Sequence, residues 1–180
     1  VTQGETRGNL EDSLQEMLLR ALSARLGEAT IEEGCRLFAV IDRCGGGKCE
    51  REGRLNYDVG PANTTMSHRT DILLTRADGR LIAVEVKVGT ITDAFKSRGY
   101  DMLHLKQHCG NRLSSVLVYA HLPGSGIRIE QAKRICYMFD RVVGRDIRAA
   151  DDYLELIRAA CDAVEDLVRE SGGPHGAGAA

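Results

Sequence analysis

The stretch from Asp71 to Lys87 constrains this chain most. It runs Asp71-Ile-Leu-Leu-Thr75, then Arg76-Ala-Asp-Gly-Arg80, then Leu81-Ile-Ala-Val-Glu85-Val-Lys87-Val88. Two apolar runs flanking Asp78-Gly79 spell a β-hairpin. Within its second strand, a carboxylate and an ammonium stand among valines. Burying such charges costs several kcal/mol each unless they are paired or bind metal. Stability alone does not explain them, so chemistry is expected here.

Register decides whether that chemistry is assembled. Residues two apart on a strand share a face, so Glu85 and Lys87 point the same way. A two-residue turn at Asp78-Gly79 would pair Ala77 with Arg80 and set Asp71 opposite Val86, on the wrong face. A three-residue loop, Ala77-Asp78-Gly79 with Gly79 left-handed, pairs Arg76 with Arg80 and sets Asp71 opposite Glu85. In the second case two carboxylates and a lysine converge. Hard divalent cations take one or two protein carboxylates and fill the rest of their shell with water and substrate phosphate. A lysine beside such an ion can hold the attacking water or neutralise charge on phosphate. The alternative is a same-face surface ion pair worth under about 1 kcal/mol. Under that reading the acids lie on opposite faces and the chain is a protein-interaction domain.

The segment resembles the core motif of the PD-(D/E)xK nuclease superfamily, whose pattern is an Asp opening one strand and Glu-x-Lys in the next. Asp71, Glu85 and Lys87 match it, with Thr70 where the pattern often has Pro. The order of elements agrees. Leu10, Leu14, Met17, Leu18, Ala21 and Leu22 have helical spacing, and Cys35–Ile41 suits a strand followed by a long polar loop. After the hairpin, Thr92-Asp93 opens a helix to about His108, and 115–121 is a short buried strand. The resemblance spans about residues 8–122. It implies an α/β, restriction-endonuclease-like αβββαβ core, a mixed central sheet flanked by helices.

The resemblance also implies further site residues. Many members carry a metal-binding Glu on the first helix; Glu11 and Glu16 are the candidates, and the glycine-led start favours Glu11. An N-terminal acid that complements the helix dipole is the competing reading. Lys96 and Gln107, on one face of the helix after the motif, are candidates for nucleic-acid contacts, against a plain solvated face. The loop before Asp71 adds Arg51, Arg54, Asn56, Tyr57, His68 and Arg69 as polar groups able to reach a substrate, Arg69 being carried as a nucleic-acid contact. The implied metal set is Asp71 and Glu85 with Glu11 and the Val86 carbonyl, holding Mg²⁺ or Mn²⁺.

The net charge of −2 is unevenly spread. Ten Lys or Arg face seven Asp or Glu between Arg51 and Arg112, whereas four Arg face eight acids from Arg145 to Glu170. The basic share surrounds the motif. No apolar run is long enough to cross a membrane and no signal peptide opens the chain, so a cytoplasmic protein is expected. Cys44 and Cys49 have a spacing that can suit structural zinc, with His104 and His108 completing a set. A loop disulfide and free thiols are the other options, and free thiols are expected for Cys109, Cys136 and Cys161.

Beyond the core, Ile129, Ala132, Ile135, Cys136, Phe139, Val142 and Val143 repeat with helical period. A second helix follows Asp151-Asp152 through Val168. These two C-terminal helices, about 127–170, either cover a sheet face or form a dimer interface. One nuclease-like domain over 1–170 and a disordered tail from 171 to 180 complete the expected organisation. The expected function is metal-dependent hydrolysis of DNA phosphodiester bonds by an endonuclease that works as a homodimer. The alternative is a DNA-binding partner module of the same fold with little or no catalysis.

Overall fold

The computed structural model describes residues 3–27, 29–41, 47–51, 63–89, 92–124 and 126–170. Arg54, Asn56, Tyr57, Cys44 and the tail from Ser171 lie outside them. The chain is α/β, with a mixed five-stranded sheet and four α-helices among the described residues.

Helix α1 (Gln3–Arg25) places Leu14, Leu18 and Leu22 on one stripe at four-residue spacing, all buried. Strand β1 (Thr30–Glu33) follows and pairs antiparallel with β5 (Ile72–Thr75). The hairpin continues into β6 (Leu81–Val88), also antiparallel. Helix α2 (Thr92–Cys109) then crosses over, and β7 (Leu113–His121) returns parallel to β6. After α3 (Ile129–Ile135), β8 (Arg141–Asp146) lies parallel to β7, and α4 (Ala150–Glu170) closes the chain. The sheet order is β1-β5-β6-β7-β8.

All eight residues of β6 are buried because both faces of the sheet are covered. Ile82, Val84, Val86 and Val88 face α1 and α4, whose Leu156, Ile157, Ala160, Cys161, Val164 and Leu167 complete one core. Leu81 and Ala83 face α2 and α3, packing with Phe95, Met102, Leu105 and Ala132. Glu85 and Lys87 continue this second row. Of the two roles open to the C-terminal helices, α4 therefore takes that of covering a sheet face.

Three expectations need correction. Residues Cys35–Ile41 do supply a strand, β2 (Arg36–Ile41), but it leaves the central sheet. It forms a three-stranded sheet, β3-β2-β4, with β3 (Gly47–Arg51) and β4 (Asn63–Arg69). The expected polar loop thus carries two strands, hidden because Gly-Lys-Cys-Glu-Arg and Asn-Thr-Thr-Met-Ser-His-Arg lack apolar alternation; pairing to β2 forms them. The first strand of the central sheet is instead β1, whose Thr-Ile-Glu-Glu gives little hydrophobic signal.

The helix expected through Val143 stops at Ile135, and Val142 and Val143 enter β8. Their side chains go to opposite faces, Val143 to the core under α1 and α4 and Val142 to the other. That is strand periodicity, which β-branched residues favour. Gly144 permits α3 to sit close, since a Cβ there would lie 2.7 Å from Ile129 Cγ2.

Cys109 is the third correction, being disulfide-bonded and not a free thiol. Cys136 and Cys161 are free, and Cys35 Sγ donates to Glu32 Oε2 at 3.2 Å. Burial pushes the Cys136 thiol up to about 11, so it behaves as an apolar core group. The side chain of Cys49 lies outside the described residues. His104 packs its ring on Tyr100 at 4.4 Å.

The start of α4 is fixed by Asp152, whose carboxylate accepts from Arg148 N and Ala149 N, both at 2.8 Å. These backbone donors, ahead of Arg145, hold its pKa below the ordinary aspartate value. A depressed carboxylate stabilises the fold above its unfolded value and loses that contribution as pH falls through the folded one. Asp152→Ala is therefore expected to lower the melting temperature at neutral pH, with the gap to wild type closing in strong acid. An equal gap at every pH in thermal melts would refute this account of the cap.

Candidate active site

The hairpin register is the bulged one. Thr75 pairs with Leu81 and Ile72 with Val84, Arg76 N donates to Arg80 O at 2.9 Å, and Gly79 has φ +78°. Only glycine takes that conformation without a Cβ penalty. Continuing the register sets Asp71 opposite Glu85, so the arrangement that would have parted the acids is not adopted.

The site arises where β5 ends. The ladder between β5 and β6 stops at Ile72 and Val84, while β6 runs on to Val88 with β7 along its other edge. The main-chain groups of Val86 and Val88 on the vacated edge would be left bare. An unsatisfied buried backbone group costs about 1–3 kcal/mol. Side chains fill the gap: Val86 N donates to Asp71 Oδ2 at 2.8 Å and Val88 N to Glu11 Oε2 at 3.3 Å. The Val86 carbonyl accepts from Lys87 Nζ at 2.6 Å. Lys87 Nζ also donates to Glu11 Oε1 at 2.6 Å and lies 3.6 Å from Asp71 Oδ2. The lysine side chain is 8% exposed, so these contacts are shielded from water.

Asp71 is anchored through its own peptide. Its carbonyl accepts from Gly34 N at 2.9 Å and from Gln15 Nε2 at 3.0 Å. Thr70 Oγ1, buried beside it, lies 3.2 Å from the carbonyls of both Ile72 and Val84. A threonine thus bridges the strands beside Asp71.

Glu85 is in register with this group but has its own partners. It is fully buried, with Oε1 2.7 Å from His68 Nε2. His68 Nδ1 lies 3.5 Å from Asp101 Oδ2, and Arg98 Nε lies 4.0 Å from Glu85 Oε2. Among the described residues, Glu85 Oε2 has no hydrogen-bond partner. An orphan carboxylate oxygen in a dry position calls for an explanation beyond folding.

The predicted residues therefore divide. Asp71, Lys87, Glu11 and Val86 come together, while Glu85 sits beside them on β6 with His68. Of the two first-helix acids, Glu11 reaches the cluster and Glu16 pairs with Arg20 on the exposed side. Lys96 and Gln107 are exposed on the outer stripe of α2. The α2 residues that approach Glu85 and His68 are Arg98 and Asp101. Arg69 is exposed and donates through Nε to Gly34 O. Gln15, Arg98 and Asp101 were missed in the sequence, and His68 was one polar group among several in a loop. The only available signal for the α2 pair was spacing: Arg98 and Asp101 flank the buried Gly99 and Met102.

Among the described residues, no three His, Cys, Asp or Glu converge as a metal cluster. The donors present nevertheless suit a hard divalent cation. Carboxylate oxygens of Glu11 and Asp71 and the Val86 carbonyl already surround one cationic nitrogen, and Glu85 contributes an uncommitted buried oxygen. An all-oxygen set with few carboxylates is what Mg²⁺ or Mn²⁺ takes.

The sequence matches no protein-family model and none of the curated proteins it was compared with.

The register depends on Gly79, where an added Cβ would meet nothing within 4 Å, so only backbone strain opposes replacement. Gly79→Val should lower stability by about 1–2 kcal/mol in urea denaturation. No measurable change would mean that the left-handed turn does not hold the hairpin.

Proposed function

We propose that the chain is a metal-dependent deoxyribonuclease, an endonuclease that hydrolyses phosphodiester bonds. The observation that carries this reading is the edge of β6, where Asp71, Glu11 and the Val86 carbonyl gather around Lys87 Nζ next to the buried Glu85. The order α1, β1, β5, β6, α2, β7 in the central sheet, with β6 and β7 parallel, supports it further.

In this reading Asp71, Glu85, Glu11 and the Val86 carbonyl hold Mg²⁺ or Mn²⁺. When bound, the ion supplies Lewis-acid stabilisation of charge on the phosphoryl oxygens. Lys87 orients water for in-line attack at phosphorus. The new P–O bond forms as the bond to the leaving oxygen breaks; the attacking water releases a proton to solvent, and the leaving oxygen takes one up from solvent. Asp71 stays fixed throughout, because its peptide is clamped by Gly34 and Gln15. Lys96, Gln107 and Arg69, all exposed, are proposed to meet the DNA backbone. Cutting both strands of a duplex or junction takes two such sites, so a homodimer acting in the cytoplasm is the proposed working form. No helix among the described residues is long and apolar enough to cross a membrane.

A cleavage panel tests the reading, using supercoiled, linear, single-stranded and four-way-junction DNA with Mg²⁺ or Mn²⁺. Metal-dependent cutting is expected on at least one substrate, abolished by chelation. Lys87→Ala and Asp71→Asn should each reduce it by at least about 100-fold, the scale of losing one electrostatic transition-state contact. DNA binding without cutting under either metal would instead establish a binding module.

A further inference from the structure

The proposed chemistry gives no role to the residue that holds Glu85. His68 is 3% exposed, lies on β4 in the small sheet, and reaches across to β6. Its Nε2 meets Glu85 Oε1 at 2.7 Å, and its Nδ1 faces Asp101 Oδ2 of α2 at 3.5 Å. The ring engages Glu85 by one oxygen only, with the Asp101 carboxylate beside its other nitrogen. Glu85 Oε2 is left buried and, among the described residues, without a hydrogen-bond partner. Arg98 Nε, at 4.0 Å, offsets its charge from beyond hydrogen-bonding distance. Three elements, α2, β4 and β6, thus combine to commit one carboxylate oxygen and spare the other.

We propose that His68 is a positioning residue for the metal centre: by engaging Glu85 Oε1 it presents Oε2 as the free anionic ligand. Hydrogen bonds to ligating carboxylates set their orientation and basicity, and removing such partners weakens metal affinity or activity by about 10–100-fold. This inference rests on the metal-site reading above. It goes further by assigning the small sheet, through β4, a part in assembling the centre.

Mn²⁺ binding to the full chain without DNA, followed by electron paramagnetic resonance or calorimetry, tests it apart from catalysis. Three variants separate positioning from packing. In His68→Gln the side-chain amide can replace Nε2 as donor to Glu85, whereas His68→Asn can reach only toward Asp101, and His68→Ala reaches neither. Wild type and His68→Gln are expected to bind Mn²⁺ within a few-fold of each other, with His68→Asn and His68→Ala about 10–100-fold weaker. Melting without metal reports packing separately, and His68→Asn carries the comparison where the alanine variant fails to fold. Wild-type affinity in His68→Asn, or equal weakening in His68→Gln, would overturn the positioning role. A wild-type chain that binds no Mn²⁺ would overturn the metal-site reading itself.

Discussion

The early end of β5 is the constraint on which the rest of this site depends. Had β5 stayed paired along the whole of β6, its backbone would satisfy Val86 and Val88, and no acid would be needed there. Because β5 begins only at Ile72, the edge of a buried strand needs acceptors for two N–H groups and a donor for one carbonyl. Asp71 and Glu11 supply the acceptors and Lys87 the donor. Backbone satisfaction thus concentrates charge at one spot in an otherwise apolar sheet. The polar groups lie where hydrogen-bonding requires them, and the shape of the site follows from the shape of the missing strand.

Charge balance then fixes the side chains. Lys87 stands against both Glu11 and Asp71, while His68 and Arg98 stand against Glu85. Glu11 and Asp71 share Lys87, and Glu85 has Arg98, each cation from a different element, which makes their burial tolerable. The balance is incomplete at Glu85 Oε2. A fold selected for stability alone would fill that position with a hydrophobic side chain, and the surrounding row of Leu81 and Ala83 shows that the face accepts one. The cost is consistent with a carboxylate kept for chemistry.

The two layers of the fold contribute differently. The core under α1 and α4 is wholly apolar and sets α1 so that Glu11 and Gln15 meet the strand edge and the Asp71 peptide. The opposite face carries Glu85 and Lys87 among apolar neighbours and brings α2 and the small sheet to them. The centre is therefore assembled from parts distant in sequence: Glu11 and Lys87 are 76 residues apart, and His68 and Glu85 are 17 apart.

Much of this was legible in the chain by itself. The hairpin and the two registers open to it follow from local rules, Gly79 at the third loop position suiting the bulged one that the structure adopts. Strongly periodic helices such as α1, α2 and α4 were equally readable. Tertiary structure decided what local rules cannot express. Strands β3 and β4 exist through pairing, because their own residues carry no apolar alternation. The segment at Val142 and Val143 becomes a strand because an open edge of β7 offers backbone partners, which outweighs a helical period. Glu11 was preferred to Glu16 by the glycine-led start alone, and packing aims Glu11 at β6 while Glu16 pairs with Arg20. The fate of Glu85 was hidden most completely. Its sequence position gave the face, but the oxygen it commits and the one it leaves free depend on His68, Asp101 and Arg98, which only the packing of α2 and β4 against the sheet brings within reach.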